Sequence, residues 1–325
     1  MASGVLVFGE GTEDGKLAPV TGELLGAAKA LGGPITCALL GAGVEGLAAR
    51  CGALGADKVV VVDDPILKDY QGDAYVPVGE RIAKEADPSV ILFGQTMIGR
   101  DMAPRLAQRL NTAVAMDCVS LSLEGDKLHA ERPCYGGSAR ARYSINGSPG
   151  MATVRAKVFD PPEADSSRQA EVVTQPAGID GSAIRARVTG RSKEAAEGIR
   201  LEDATVVVSG GRGLGGPEGF GPIEELAEVL GGAVGASRAV CDLGWYPVAA
   251  QVGLTGKVVT PDVYIAVGIS GASQHMAGIS QVKNIVAINK DPEASIFKSS
   301  RFGVVGDWKE VIAAFTEKVR ELKAG

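Results

Sequence analysis

Short runs of aliphatic and β-branched residues alternate with longer stretches of helical spacing through the first part of the chain. The apolar runs at 5–8, 35–40, 58–62 and 90–93 predict strands. Between them, residues 19–31, 44–54, 74–85 and 101–110 place apolar side chains at three- and four-residue intervals and predict helices. Pro104 is read as lying near a helix start, where its missing N–H costs little. Strands this apolar are buried on both faces, so the alternation predicts a parallel sheet covered by helices on either side.

After Asn111 the pattern becomes β-rich. V-S-L-S-L, A-R-A-R-Y-S-I and A-T-V-R-A-K-V, with glycine turns between them, predict strands that extend the first sheet or cap it. Asp160-Pro161-Pro162 breaks the pattern, and the polar A-D-S-S-R-Q-A stretch reads as a loop. Further strands are predicted at 171–174 and 183–188. The charged segment R-S-K-E-A-A-E-G marks a domain boundary near Gly198, giving an N-terminal domain over 1–197 and a C-terminal one over 198–325. A second alternation follows, with strands at 205–208, 263–267, 284–288 and 304–305 and helices at 223–230 and 309–323. The fold class is therefore α/β, with two doubly wound, mainly parallel-sheet domains, the C-terminal one smaller.

Composition narrows the function. At 325 residues the chain exceeds what one core usually serves, and 45% hydrophobic with 22% charged residues excludes disorder. With 45 glycines and 5% aromatics it has many close backbone approaches and few platforms for stacking bases. A net charge of −6 repels a phosphate backbone, so no nucleic-acid partner is expected. Cys37, Cys51, Cys118, Cys134 and Cys241 form no C-x-x-C pair and read as buried hydrophobes in a reducing compartment, without a zinc site. The opening G-V-L-V-F-G run has no basic residues before it, and no apolar stretch is long enough to cross a membrane. A cytoplasmic protein with no direct membrane insertion is expected.

Two G-x-G-x-x-G spellings, at 41–46 and 211–216, bring a nicotinamide-dependent oxidoreductase into consideration. The first sits on the second strand-to-helix turn, where tight turning and helix packing explain its glycines. The second has no helix directly behind it, because Gly219, Gly221 and Pro222 delay the helix to about Ile223. It reads as a wide loop carrying one cation, Arg212, suited to an anionic partner.

Three clusters follow it. Gly235-Ala236-Ser237-Arg238 joins small residues to a hydroxyl and a guanidinium; alone, Arg238 would be a surface arginine beside a turn. Gln251-Val252-Gly253-Leu254-Thr255-Gly256-Lys257 is a short glycine loop with amide, hydroxyl and ammonium groups. Ser270-Gly271-Ala272-Ser273-Gln274-His275 follows a buried strand, where small residues let backbone amides face a ligand at a helix N-terminus. The chain's other histidine, His129, sits in a polar strand and reads as solvated. No nucleophile elbow, G-x-x-x-x-G-K-[ST] loop or H-E-x-x-H occurs. A site rich in donors and poor in proton-transfer groups suits an electron carrier rather than a substrate-converting enzyme. A non-redox adenine-nucleotide module remains the third reading.

In order, S-G-G-R-G-L, V-G-A-S-R-A, Q-V-G-x-T-G-K and V-Y-I-A-V-G-I-S-G-A-S-Q-H-M-A-G followed by I-V-A-I-N-K-D-P-E-A-S-I-F resemble the alpha subunit of electron transfer flavoprotein. The similarity is dense over 206–307 and one of pattern before that. It implies a heterodimer with a beta subunit, contacted by an N-terminal nucleotide-binding-like domain, and FAD held mainly by the C-terminal domain. It implies electrons arriving from acyl-CoA dehydrogenases or similar donors, as in fatty acid oxidation, and leaving toward a membrane quinone oxidoreductase.

Carried over by position, Arg212 lies over the flavin ring, Ser237 and Arg238 contact the flavin and its phosphate side, and Thr255 hydrogen-bonds the reactive ring nitrogen. Gln251, Val252, Gly253, Leu254 and Gly256 complete that loop. Ser270, Gly271, Ala272, Ser273, Gln274 and His275 bind the diphosphate, ribityl chain and pyrimidine edge, with His275 near the developing charge. Asn289 and Asp307 hold the adenosine half. Leu254 stands where many members have glutamine and Ser273 where an aliphatic residue is usual, and Leu254 removes a polar group near the flavin. Some relatives are electron-bifurcating and carry a second FAD in the partner subunit, an alternative that one subunit's sequence leaves open.

Overall fold

The computed structural model describes residues 4–12, 14–125, 127–137, 139–190 and 199–324. The chain forms two compact units, the first from 1–134 and 140–191 and the second from 135–139 and 192–325. The boundary expected near Gly198 lies outside the described residues.

In chain order the first unit holds β1 (Val5–Gly9), α1 (Pro19–Leu31), β2 (Ile35–Gly41), α2 (Ala48–Ala53), β3 (Lys58–Asp63), α3 (Gly72–Ala86), β4 (Val90–Gly94) and α4 (Met97–Arg109). These are followed by β5 (Val114–Cys118), β6 (Ser120–Glu124), β7 (Lys127–Cys134), β8 (Ala139–Ile145), β9 (Gly150–Val154) and β10 (Glu171–Thr174). A seven-stranded sheet runs β10-β3-β2-β1-β4-β9-β5, parallel throughout. Successive side chains of β1 enter opposite cores, Val5 and Val7 on one face, Leu6 and Phe8 on the other. That is why the strand reads as uninterrupted apolar sequence. The β-rich stretch divides: β9 and β5 extend this sheet, whereas β6, β7 and β8 form a separate three-stranded sheet.

Local signals set the helix ends. Pro19 starts α1, and Gly32 ends it at φ 81°, its N–H bonding to Ala28 and Lys29 carbonyls. Pro104 does not mark a start. The α4 helix begins at Met97, where the Thr96 hydroxyl accepts the Gly99 N–H at 3.0 Å, and Pro104 lies inside it. Burial of Met102, Ala103, Leu106 and Ala107 offsets the backbone bond that Pro104 removes. The helix expected over 44–54 is a 3₁₀ turn at Glu45–Leu47 running into the short α2. No strand forms over 183–188: a 3₁₀ turn occupies Gly181–Ala183 and the alternating residues beyond it join no sheet.

The second unit contains β11 (Val206–Gly210), α5 (Phe220–Leu230), β12 (Ala233–Ala236), α6 (Arg238–Asp242), β13 (Val263–Val267), α7 (Ser273–Ala277), β14 (Ile285–Asn289), β15 (Phe302–Val305) and α8 (Trp308–Ala324). Its five strands run β12-β11-β13-β14-β15, all parallel. Along β13, Tyr264 and Ala266 face one core while Ile265 and Val267 face the other. The fold is α/β with two mainly parallel sheets. Among the described residues no helix is long and apolar enough to cross a membrane, and no cluster of His, Cys, Asp or Glu can hold a metal.

Candidate functional site

From β11 the chain passes to β12 on one side and later to β13 on the other, so the strand order reverses between β11 and β13. Beyond the carboxyl ends of strands at such a reversal, the loops diverge and leave a crevice. The four clusters singled out in the sequence open onto that edge. Arg212 follows β11, Ser237 and Arg238 follow β12, Ser270 to His275 follow β13, and residues 251–256 adjoin the end of β12 through the Val252 N–H to Ala236 carbonyl bond.

Backbone hydrogen bonds lace these loops together. Gly211 and Gly213 N–H groups donate to Val267 and Gly268 carbonyls at 2.9 Å each, and the Leu254 N–H donates to the Gln274 carbonyl at 2.7 Å. The glycines are what permit this. A Cβ on Gly211 would overlap the Gly268 carbonyl oxygen, one on Gly213 would lie 2.7 Å from the Gly268 Cα, and Gly268 itself sits at φ 63°. Glycines at 211 and 213 therefore serve loop-on-loop contact, and the G-x-G-x-x-G spelling there reflects packing against β13's exit. Within the loop, the buried Gln251 donates through Nε2 to the exposed Thr255 hydroxyl at 2.9 Å, fixing where that hydroxyl points. Gly256 packs against Gln251's own carbonyl, Gly253 sits at φ 146°, and Leu254 is 62% exposed.

Polar groups differ in how far they are already committed. Arg212 is exposed and forms no ion pair among the described residues. Arg238, at the first turn of α6, pairs with Asp242 at 3.2 Å, which divides its charge. Ser270, Ala272, Ser273 and Gln274 are exposed, and Gly271 is buried beneath them. Asn289 donates to the Ile269 carbonyl at 2.9 Å and accepts the Asp291 N–H at 3.0 Å, so both ends of its amide shape the loop. Asp307 accepts the Lys309 N–H at 2.9 Å at the start of α8.

His275 is the buried member of the set. Its Nε2 lies 2.9 Å from the Tyr264 hydroxyl, and its Nδ1 is enclosed without a well-aligned hydrogen-bond partner. Burial lowers its pKa to about 4 against an opposing pull from the Val252 backbone, so the ring is neutral near pH 7. His275 is therefore a neutral ring rather than a cation, with Nε2 turned to Tyr264 and Nδ1 enclosed toward the Val252 backbone. Tyr264 was not singled out from sequence, although a lone phenol in the strand V-Y-I-A-V carries the signal that its hydroxyl needs a buried partner.

The earlier glycine spelling is self-satisfied. Asp63, at the end of β3, accepts the Gly43 N–H at 2.8 Å and the Glu45 N–H at 3.0 Å, so a carboxylate holds the amides a phosphate would need. Burial works to raise its pKa, but the amide bonds from Gly43, Glu45 and Val44 prevail and lower it. Asp63→Ala is expected to cost about 1 kcal/mol, the scale of lost hydrogen bonds at an exposed turn, read as a lowered melting temperature.

Residues 5–179 match the electron transfer flavoprotein domain, and residues 200–280 match the electron transfer flavoprotein FAD-binding domain. The electron transfer flavoprotein subunit alpha of Thermoanaerobacterium thermosaccharolyticum is 45% identical over 325 residues, with 98% of each chain covered. This chain belongs to the electron transfer flavoprotein alpha-subunit family. The corresponding subunit of Bacillus subtilis is 42% identical over 326 residues, covering 99% of both chains. A protein named FixB from Clostridium saccharobutylicum is 42% identical over 327 residues, covering 98% of this chain and 97% of its own. As a member of the electron transfer flavoprotein family, the chain has FAD as its cofactor. The donor set fits that group: a guanidinium with no ion pair among the described residues, exposed small-residue turns at a sheet's reversal, and a neutral imidazole buried beneath them. Asn289 and Asp307 lie beyond the matched FAD-binding domain but within the span shared with the full-length relatives.

Proposed function

We propose that this chain is the FAD-holding subunit of a cytoplasmic heterodimer with a beta subunit, carrying electrons from acyl-CoA dehydrogenase-type donors to a membrane quinone oxidoreductase or another acceptor. The observation that supports this reading is the gathering of all four loop clusters at the reversal point of one parallel sheet, with no acid–base pair among them. Bound FAD supplies reversible acceptance of one or two electrons. Arg212 brings uncompensated positive charge toward the negative charge that reduction creates, and Arg238 adds a share limited by Asp242. Thr255, aimed by Gln251, offers a hydroxyl hydrogen bond to the ring, with Val252, Gly253, Leu254 and Gly256 shaping that loop. Ser270, Gly271, Ala272, Ser273 and Gln274 present backbone and side-chain donors to the diphosphate and ribityl chain. His275 holds its neutral nitrogen at the pyrimidine edge, and Asn289 and Asp307 flank the adenosine half. The N-terminal unit meets the beta subunit.

Coexpression with a beta subunit tests the assignment. A yellow heterodimer with one FAD, reduced by an acyl-CoA dehydrogenase, is expected. Two FAD per dimer and reduction by a nicotinamide would replace it with an electron-bifurcating complex, and a colourless dimer that takes up no FAD would end it. Within that dimer, Arg212→Gln is expected to lower the flavin midpoint potential by on the order of 60 mV, about tenfold in a one-electron equilibrium. Arg238→Gln should give a smaller fall. Unchanged potentials in redox titrations of both variants would remove these roles.

A further inference from the structure

The first unit has its own reversal point: β2 lies on one side of β1 and β4 on the other. A cavity of about 760 Å³ opens there, within this unit. Phe8 and Phe93 line it as a stacked pair, ring centroids 4.6 Å apart, and Tyr70 and Tyr75 form an edge-to-face pair at 4.9 Å. Both tyrosine hydroxyls are spent on the protein, Tyr70 on Asp101 at 2.7 Å and Tyr75 on the Leu67 carbonyl at 2.7 Å. Phe8, Phe93 and Tyr75 are buried, so the ring surface left to a ligand is chiefly that of the half-buried Tyr70.

One polar group is held ready among these rings. The backbone of Glu10, which also lines the cavity, is clamped from both sides, its N–H donating to the Thr21 hydroxyl at 2.8 Å and its carbonyl accepting that hydroxyl at 3.0 Å. Its Oε1 accepts the Thr96 hydroxyl at 2.6 Å, and its Oε2 forms no hydrogen bond among the described residues. Burial raises its pKa, against the Thr96 bond, so the group gains from a partner that donates. A phosphate is disfavoured. Among the described lining residues two carboxylates, Glu10 and Asp69, stand beside one ammonium, Lys68, and the nearby turn amides of Gly43 and Glu45 are already bound by Asp63.

We infer that this cavity binds a planar heterocycle of nucleoside type, bearing N–H or O–H donors and no phosphate, with its ring among the aromatic side chains and a donor on Glu10 Oε2. The site is separate from the FAD-binding domain, and the inference stands without the proposed electron-transfer partners.

Calorimetric titration of the full FAD-loaded protein with adenosine, guanosine and cytidine, and with AMP, tests it. At least one nucleoside is expected to bind saturably, with AMP weaker than adenosine by about tenfold or more. Glu10→Gln keeps the shape but reverses the polarity, because Thr96 retains the carbonyl oxygen and turns the amide N–H₂ toward the cavity. Nucleoside affinity should fall about tenfold while flavin absorbance and melting temperature hold. Should that variant fail to fold, Tyr70→Leu, which removes a ring at a half-buried position, provides the same comparison. Absence of nucleoside binding at millimolar concentration, AMP binding as tightly as adenosine, or a folded variant with unchanged affinity would overturn the inference.

Discussion

Gly271→Val is expected to abolish FAD retention and to lower stability by about 3 kcal/mol or more. Gly271 sits at φ 86°, a region that costs any β-branched residue dearly. A Cβ there would also overlap the Ile296 backbone nitrogen and lie 2.6 Å from its Cα. Those atoms cannot swing aside as a side chain end does, because Ile296 is fully buried and its N–H donates to the Ser270 carbonyl at 3.0 Å. The substitution therefore opens the turn that presents Ser270 to Gln274. Gly231→Asn separates backbone strain from collision, since Gly231 has φ 66° and nothing within 4 Å of an added Cβ. It should cost about 1 kcal/mol and leave FAD bound. Thermal melts and the flavin-to-protein ratio after gel filtration read both effects, and FAD held by Gly271→Val at normal stability would show that this close approach does not build the cradle.

Acidification from pH 6.5 to 4 is expected to remove stability on the order of 3 kcal/mol through His275 alone. The folded ring has its pKa lowered from 6.5 to about 4, chiefly by burial. Across that window the unfolded chain takes up a proton that the folded chain refuses, so stability rises with pH and falls as acid is added. The contribution is complete above pH 6.5. Glu10 and Glu23, with pKa values raised by burial, act in the opposite sense, so the comparison must be made between wild type and His275→Gln. Urea melts from pH 8 to 4 should show a constant difference at the alkaline end and a wild type that loses ground to the variant below pH 6.5. Parallel curves would mean the imidazole titrates normally.

Where burial was continuous along a strand, sequence and structure agree closely. The range 263–267 was read to the residue because an apolar run bounded by turn residues leaves few alternatives; the helix α1 and the largely exposed β10 were also read to the residue. Short elements escaped. The four-residue β12 and five-residue α6 are held by pairing with β11 and by packing over its end, information that no local period carries. At 183–188 the reverse happened: alternation without a neighbouring strand gave nothing to pair with. The loop clusters were legible as glycine beside donor residues, yet their assembly rests on bonds such as Leu254 to Gln274, which connect segments distant in sequence. Burial of His275 against Tyr264 was hidden for the same reason, since its turn reads as polar on both sides.

A polypeptide that repeats one winding pattern in two lobes must avoid loading its cofactor onto the wrong one. In the turn after β2, the Asp63 carboxylate already occupies the Gly43 and Glu45 amides, so those two donors are not open to a diphosphate there.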